Sequence, residues 1–292
     1  MTELAGNGIP LADWLRDATA RLASVGDTPR LDAELIAAHA LGLRREDMIL
    51  ALPSLHAPEA ADTLLARRLA HEPIAYILGE RDFWTLTLKV TPDVLVPRAD
   101  SETLIDAAIK LFGHRAPPRR ILDLGTGSGA LLLAALDMWG EASGVGIDRS
   151  AAAIAVAREN AARCGMADCA TFRLGDWGAG LDERFDLILC NPPYIATSAM
   201  LPPDVARYEP ASALFAGPDG LDDYRTLAGQ LRGLLAPGGI AIFEIGFDQA
   251  ASAGALFVAQ GFSVKVARDL GGRARALLMS ADDAIESHFG QA

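Results

Sequence analysis

The apolar positions of this chain change rhythm along its length. Leu11, Trp14, Leu15, Ala18 and Leu22 recur at helical spacing. Leu31, Leu35, Ala38 and Leu41 predict the inward face of a second helix, with Gly42 as its C-terminal stop. Segments 44–52 and 58–70 read as two further helices, the second opened by Pro58. From Arg81 to Val90 the residues favour strands, among them Phe83, Trp84, Thr85, Leu86, Thr87 and Leu88, and a hairpin is expected. Pro97 to Glu102 then opens a helix running to about Phe112, and 114–120 is a linker rich in Pro and Arg.

From Ile121 the pattern becomes strand, glycine turn, helix, strand. Strands are predicted at Ile121–Leu124, Gly144–Ile147, Thr171–Leu174, Phe185–Cys190 and Ile240–Ile245, with a closing pair at Phe262–Val266 and Ala274–Met279. Helices are predicted at 130–139, from a Ser150 cap to Cys164, and at 221–235, the last stopped by Pro237-Gly238-Gly239. Alternation of this kind predicts an α/β fold with a parallel, doubly wound sheet. The expected organisation is a helical domain over 1–78, a β-hairpin connector over 79–96, an α/β domain over 97–285 and a flexible tail over 286–292.

Composition narrows the classes. With 292 residues and 51% apolar composition, the chain can bury a sizeable core. A net charge of −12 disfavours direct nucleic-acid binding along a phosphate backbone. The three cysteines, Cys164, Cys169 and Cys190, fit no disulfide or zinc spacing, and the histidines, His288 included, form no ligand pair, so no metal is expected. Neither a signal peptide nor a membrane-spanning stretch is read, which predicts a cytoplasmic, reducing setting.

Candidate chemistry lies at the carboxyl ends of the strands, where open α/β sheets bind ligands. Asn191-Pro192-Pro193-Tyr194 follows the strand ending at Cys190. Two prolines stop the ladder and stiffen the segment, presenting an amide and an aromatic ring. Alone, the tetrapeptide reads as readily as a tight turn. Gly125-Thr126-Gly127-Ser128-Gly129 lets backbone N–H groups approach a ligand, and its third glycine comes one residue too early for a dinucleotide fingerprint. Asp148, about twenty residues on, is placed to accept from a ribose hydroxyl pair. Asp176-Trp177 follows the third strand and suits a purine, or merely a turn with a packed indole. Cys190 reads as strand core.

Taken together, these residues resemble the S-adenosylmethionine-dependent methyltransferases that act on planar nitrogens. More narrowly, Glu72 to Gly79, Phe83-Trp84, Val96 to Glu102, Glu209-Pro210, Phe215 to Leu221 and Glu244-Ile245-Gly246 resemble the peptide chain release factor glutamine methyltransferase family, known as PrmC or HemK. Ala99 and Ser101 read as tolerated variation. The resemblance implies a Rossmann-like methyltransferase sheet with a small N-terminal helical recognition domain. It implies methylation of the glutamine side-chain amide in the Gly-Gly-Gln loop of class I release factors, by a monomer. Gly125 to Gly129 would surround the methionine part of S-adenosyl-L-methionine, Asp148 the ribose, Asp176 and Trp177 the adenine, and Asn191 the reacting end. Asn191, Pro192, Pro193 and Tyr194 would clamp the substrate amide, with Asn191, Pro192 and Tyr194 in catalysis.

An amide nitrogen is a weak nucleophile because its lone pair is delocalised. The expected device is positional: the Asn191 side-chain oxygen and the Pro192 carbonyl accept the two amide N–H bonds, and Tyr194 lies against the amide plane. Two substrates compete with the release factor, a glutamine of a ribosomal protein and an exocyclic amino group of a nucleic-acid base. The acidic balance argues against the second. An adaptor that only binds cofactor is the reading from another class.

Overall fold

The computed structural model describes residues 8–281; the predicted tail at 286–292, His288 and the extreme N-terminus lie outside the described residues. The chain divides into two units, one of residues 1–79 with 201–208, the other of 80–200 with 209–292.

The first unit is helical. It contains α1 (Leu11–Leu22), α2 (Pro29–Leu41), α3 (Arg45–Ala51), α4 (Glu59–Leu69), a short α5 (Ile74–Leu78) and, from the later insertion, α9 (Pro203–Tyr208). Leu11, Trp14, Leu15, Ala18 and Leu22 are all buried, as their spacing predicts. Gly42 adopts the left-handed conformation expected of a C-terminal stop. On α2 the inward face is only partly the predicted one. Ala38 is buried as expected and Leu41 packs against the core, but Asp32, Ala33, Glu34, Ile36 and Ala37 are buried too, while Leu31 is exposed. Ion pairs turn the helix: Arg68 donates to Asp32 at 2.7 Å and Arg45 to Glu34 at 2.6 Å. A buried acid with a dedicated guanidinium looks polar in sequence and behaves as core.

In the second unit, β1 (Glu80–Phe83) and β2 (Leu86–Lys89) form the predicted antiparallel hairpin. A 3₁₀ turn at Ala99–Ser101 leads into α6 (Glu102–Phe112). The main sheet contains β3 (Arg120–Leu124), β4 (Ser143–Asp148), β5 (Ala170–Leu174), β6 (Phe185–Cys190), β7 (Leu235–Glu244), β8 (Ser263–Arg268) and β9 (Ala274–Ser280). Its order is β5-β4-β3-β6-β7-β9-β8, parallel except for the pairs made by β9. Helices α7 (Ala130–Met138), α8 (Ala151–Arg163), α10 (Asp222–Leu234) and α11 (Ala250–Val258) flank it.

The apolar runs of the strands arise because both sheet faces are covered. Ile121, Leu187, Leu189, Ile240 and Ile242 pack towards α6, α7 and α8. Their neighbours Leu122, Ile188, Cys190, Ala241 and Phe243 pack towards α10 and α11. This period-two division is what a pleated strand requires. Pro237-Gly238-Gly239, read from sequence as a break, lies within β7; the register jumps from Phe185↔Leu235 to Leu187↔Ile240, so the extra residues bulge without ending the strand. Strand order reverses between β3 and β6, which puts the glycine turn and Asn191 side by side at the sheet's carboxyl edge.

Candidate active site

A cavity of about 550 Å³ opens at this reversal point, within the second unit. Of the predicted residues, Gly125, Thr126, Gly127, Ser128, Asp148, Asp176, Trp177, Asn191 and Pro193 line it. Gly129, Pro192 and Tyr194 do not belong to its lining. Gly129 instead begins α7 with φ +84°, and a Cβ there would press on Leu133 and Ala157. Its glycine serves close packing of the helix against α8.

The glycine turn is held from three sides. Asp148 accepts the Gly127 N–H at 2.9 Å through one carboxylate oxygen and the Ser150 N–H at 2.8 Å through the other. Thr126 donates its hydroxyl to Asp123 Oδ2 at 2.6 Å. Trp177 takes a positive φ of 50°, and its ring closes on Gly125, where a Cβ would stand 3.0 Å from the indole. Burial raises the pKa of Asp223, with the neighbouring Trp177 side chain opposing.

Asp123 is the least comfortable group in the cavity wall. It is 1% exposed, and its Oδ1 has no hydrogen-bond partner among the described residues. Burial pushes its pKa up to about 7, against the pull of the Thr126 hydroxyl. An orphaned carboxylate oxygen at a cavity lined also by Asp148, Asp176, Asp222 and Asp223 favours a cationic ligand.

At the other side of the cavity, Asn191 donates from Nδ2 to the Ser101 hydroxyl at 3.1 Å. Ser101 donates to Glu244 Oε2 at 2.5 Å. Glu244 lies at the carboxyl end of β7 and is 1% exposed; burial raises its pKa to about 7, with the Ser101 hydroxyl and Arg275 opposing. Tyr194 turns towards the sheet: it packs on the α10–α11 side of the core and its hydroxyl contacts Glu244 Oε1 at 3.3 Å. Burial and the nearby Glu244 raise the Tyr194 pKa, so the phenol stays protonated and donates. The loop after Asn191 is backed by Gln249, which donates to the Tyr194 carbonyl at 2.9 Å, and by Gly220, where a Cβ would meet that carbonyl at 2.3 Å.

Sequence reasoning missed Ser101 as a partner of Asn191. It is 3% exposed yet reaches the cavity wall, so its hydroxyl has a specific task where tolerated variation was expected. The available signal was its place in the quoted Val96–Glu102 stretch. Cys190 is buried strand core as expected, and burial raises its thiol pKa. Asp222 and Asp223, at the start of α10, also escaped notice.

Residues 13–79 match the PrmC N-terminal domain and residues 117–246 a methyltransferase domain. A release factor glutamine methyltransferase of Rhodospirillum rubrum is 44% identical, covering 86% of this chain and 79% of that protein. One of Cereibacter sphaeroides is 44% identical over 90% of this chain and 96% of that protein. Among solved structures, the hMettl16 catalytic domain in complex with an RNA hairpin aligns with TM-score 0.56 at 17% identity, covering 75% of this chain and 82% of that one. A methyltransferase from Pyrococcus furiosus aligns with TM-score 0.50 at 20% identity, covering 75% and 98%. These two likenesses show a methyltransferase fold, and the methyltransferase domain matched at 117–246 lies in the second unit. With such identity and coverage among the curated relatives, the chain belongs to the release factor glutamine methyltransferase family.

Proposed function

We propose that this chain methylates the side-chain amide nitrogen of the glutamine in the Gly-Gly-Gln loop of class I release factors, with S-adenosyl-L-methionine as methyl donor. The observation that carries this reading is the placement of Asn191 on the cavity wall with its Nδ2 committed to Ser101. That bond leaves Oδ1 as the group offered to a substrate, an acceptor suited to an amide N–H.

The cavity fits the donor. S-adenosyl-L-methionine supplies an electrophilic methyl group on a sulfonium centre. Asp123, with its orphaned Oδ1, suits the ammonium of the methionine part. Asp148 retains lone pairs for ribose hydroxyls beyond those it gives to Gly127 and Ser150. Trp177 and Asp176 suit the adenine. Asn191 Oδ1 and the Pro192 carbonyl accept the two N–H bonds of the target amide and orient its nitrogen, a positional contribution that can reach several kcal/mol. Pro193 shapes the wall, and Tyr194 supports the segment from behind through Glu244.

The helical unit is read as the release-factor recognition surface, and the chain as a cytoplasmic monomer without direct nucleic-acid binding. Among the described residues no helix is long and apolar enough to cross a membrane. The test of the clamp is Asn191→Ala. Methyl transfer is expected to fall by about 100-fold or more, while the cofactor dissociation constant changes little. Near-normal turnover would refute the clamp.

A further inference from the structure

Asn191 is linked to Glu244 through Ser101, and the three come from distant parts of the second unit: the end of β6, the end of β7 and the 3₁₀ turn before α6. A carboxylate is an acceptor only. With Glu244 ionised, the Ser101 hydroxyl must donate to it, which leaves the Ser101 oxygen able only to accept. Of the two ends of the Asn191 amide, only the NH₂ can donate to that oxygen. The direction of the chain therefore follows from the donor inventory. It turns Asn191 Oδ1 away from Ser101.

We propose that Ser101 and Glu244 are positioning residues for methyl transfer: the chain Asn191 to Ser101 to Glu244 locks the Asn191 amide with its oxygen towards the substrate, and protonation of Glu244 unlocks it. This rests on the reading of Asn191 as the substrate's acceptor. A protonated Glu244 can donate to Ser101, whose hydroxyl is then free to donate to Asn191. The amide can rotate and present its NH₂ to the substrate amide, donor against donor.

The surroundings support such a switch. Tyr194 contacts Glu244 Oε1 from the loop after β6. Tyr224 on α10 donates to the Glu244 backbone carbonyl at 2.7 Å, fixing the strand end. Cys190 on β6 is buried and neutral. The charged groups facing Glu244 are Arg275 on β9, which favours the carboxylate, and Asp100, which opposes it. Arg275 is itself held by Asp100 at 2.8 Å and by Asp269 at 3.3 Å. The Asp100 pair ties the turn that carries Ser101 to the sheet. Burial leaves Glu244 titrating near neutrality, at about 7. The raised value means that the proton is held at acid pH and lost as pH rises through that range, so the locked form belongs to the alkaline side.

The experiment measures kcat, the release-factor KM and cofactor affinity from pH 5.5 to 9 for the full chain and for Ser101→Ala, Ser101→Thr, Glu244→Gln and Asn191→Ala. Ser101→Ala is expected to lower kcat at pH 8 by about 10- to 100-fold with cofactor affinity and KM little changed. Ser101→Thr, which restores the hydroxyl, should recover most of that loss. The parent should lose kcat below about pH 7 with a single-proton slope, and Glu244→Gln, isosteric but unable to titrate, should flatten that limb. Retained cofactor affinity certifies each variant as folded. An inactive Asn191→Ala beside a fully active Ser101→Ala, or an acid limb unchanged in Glu244→Gln, would overturn the lock while leaving the clamp standing. An active Asn191→Ala would overturn both.

Discussion

Asp148 has two tasks that a single substitution will expose together. Its carboxylate braces Gly127 and Ser150, and it faces the cavity. Asp148→Ala is expected to weaken cofactor binding by about 10- to 100-fold, from hydrogen bonds to a charged group worth roughly 1.5–3 kcal/mol; an unchanged dissociation constant in calorimetry would contradict the assignment. Asp123 differs in kind, because its charge is a burden on the fold. Its pKa of about 7 lies above the ordinary carboxylate value of 3.8, so between those values the folded chain holds a proton that the unfolded chain releases. Stability from that proton is complete below the lower value and is lost as pH rises towards 7. Asp123→Asn keeps an acceptor for Thr126 and removes the penalty. It should raise Tm more at pH 8 than at pH 5, while weakening cofactor affinity; a Tm gain equal at both pH values would count against the buried charge. Asp123 itself carried no warning in sequence beyond its place before the glycine turn.

At the scale of elements, the hairpin is fastened to the α/β core by Phe83 and Leu88 in the apolar core, by side chains such as Glu102 and Asp137, and by one fully buried amide. Asn160 on α8 is fully buried; its Oδ1 accepts from Lys89 N–H at 2.7 Å, and its Nδ2 donates to the Lys89 and Ser128 carbonyls at 3.0 and 2.9 Å. Asn160→Ala strands these three backbone groups and should destabilise the fold by about 2–4 kcal/mol, as unmade buried hydrogen bonds do, in denaturant titration. Elements were legible in sequence where burial wrote a period into them: α1 shows its inward stripe, and the core strands show unbroken apolar runs because both faces are covered. Helices α5, α9 and α11 were not anticipated. The first two have only five and six residues, and α11 is a run of small and apolar residues without a polar face. The α2 face misled because two acids pair inside. The link from Ser101 to Asn191 spans 90 positions and that from Ser101 to Glu244 spans 143, distances over which local pattern carries no information.

At the scale of the whole molecule, 38 acids against 26 bases set what the surface will meet. Binding along a duplex draws on clustered Lys and Arg, so no shift of duplex DNA or RNA is expected at about 150 mM salt; micromolar binding there would reopen the nucleic-acid reading. The relatives are named for a release factor, and an acidic enzyme with an acid-lined cavity suits a cationic methyl donor better than a polyanion. The measurement that tests this account most directly is methyl transfer from labelled S-adenosyl-L-methionine to a purified class I release factor, beside its Gln→Ala variant in the Gly-Gly-Gln loop. The account predicts label in the first protein and none in the second. Equal labelling of both, or no labelling of either by an enzyme that demonstrably binds the cofactor, would contradict it.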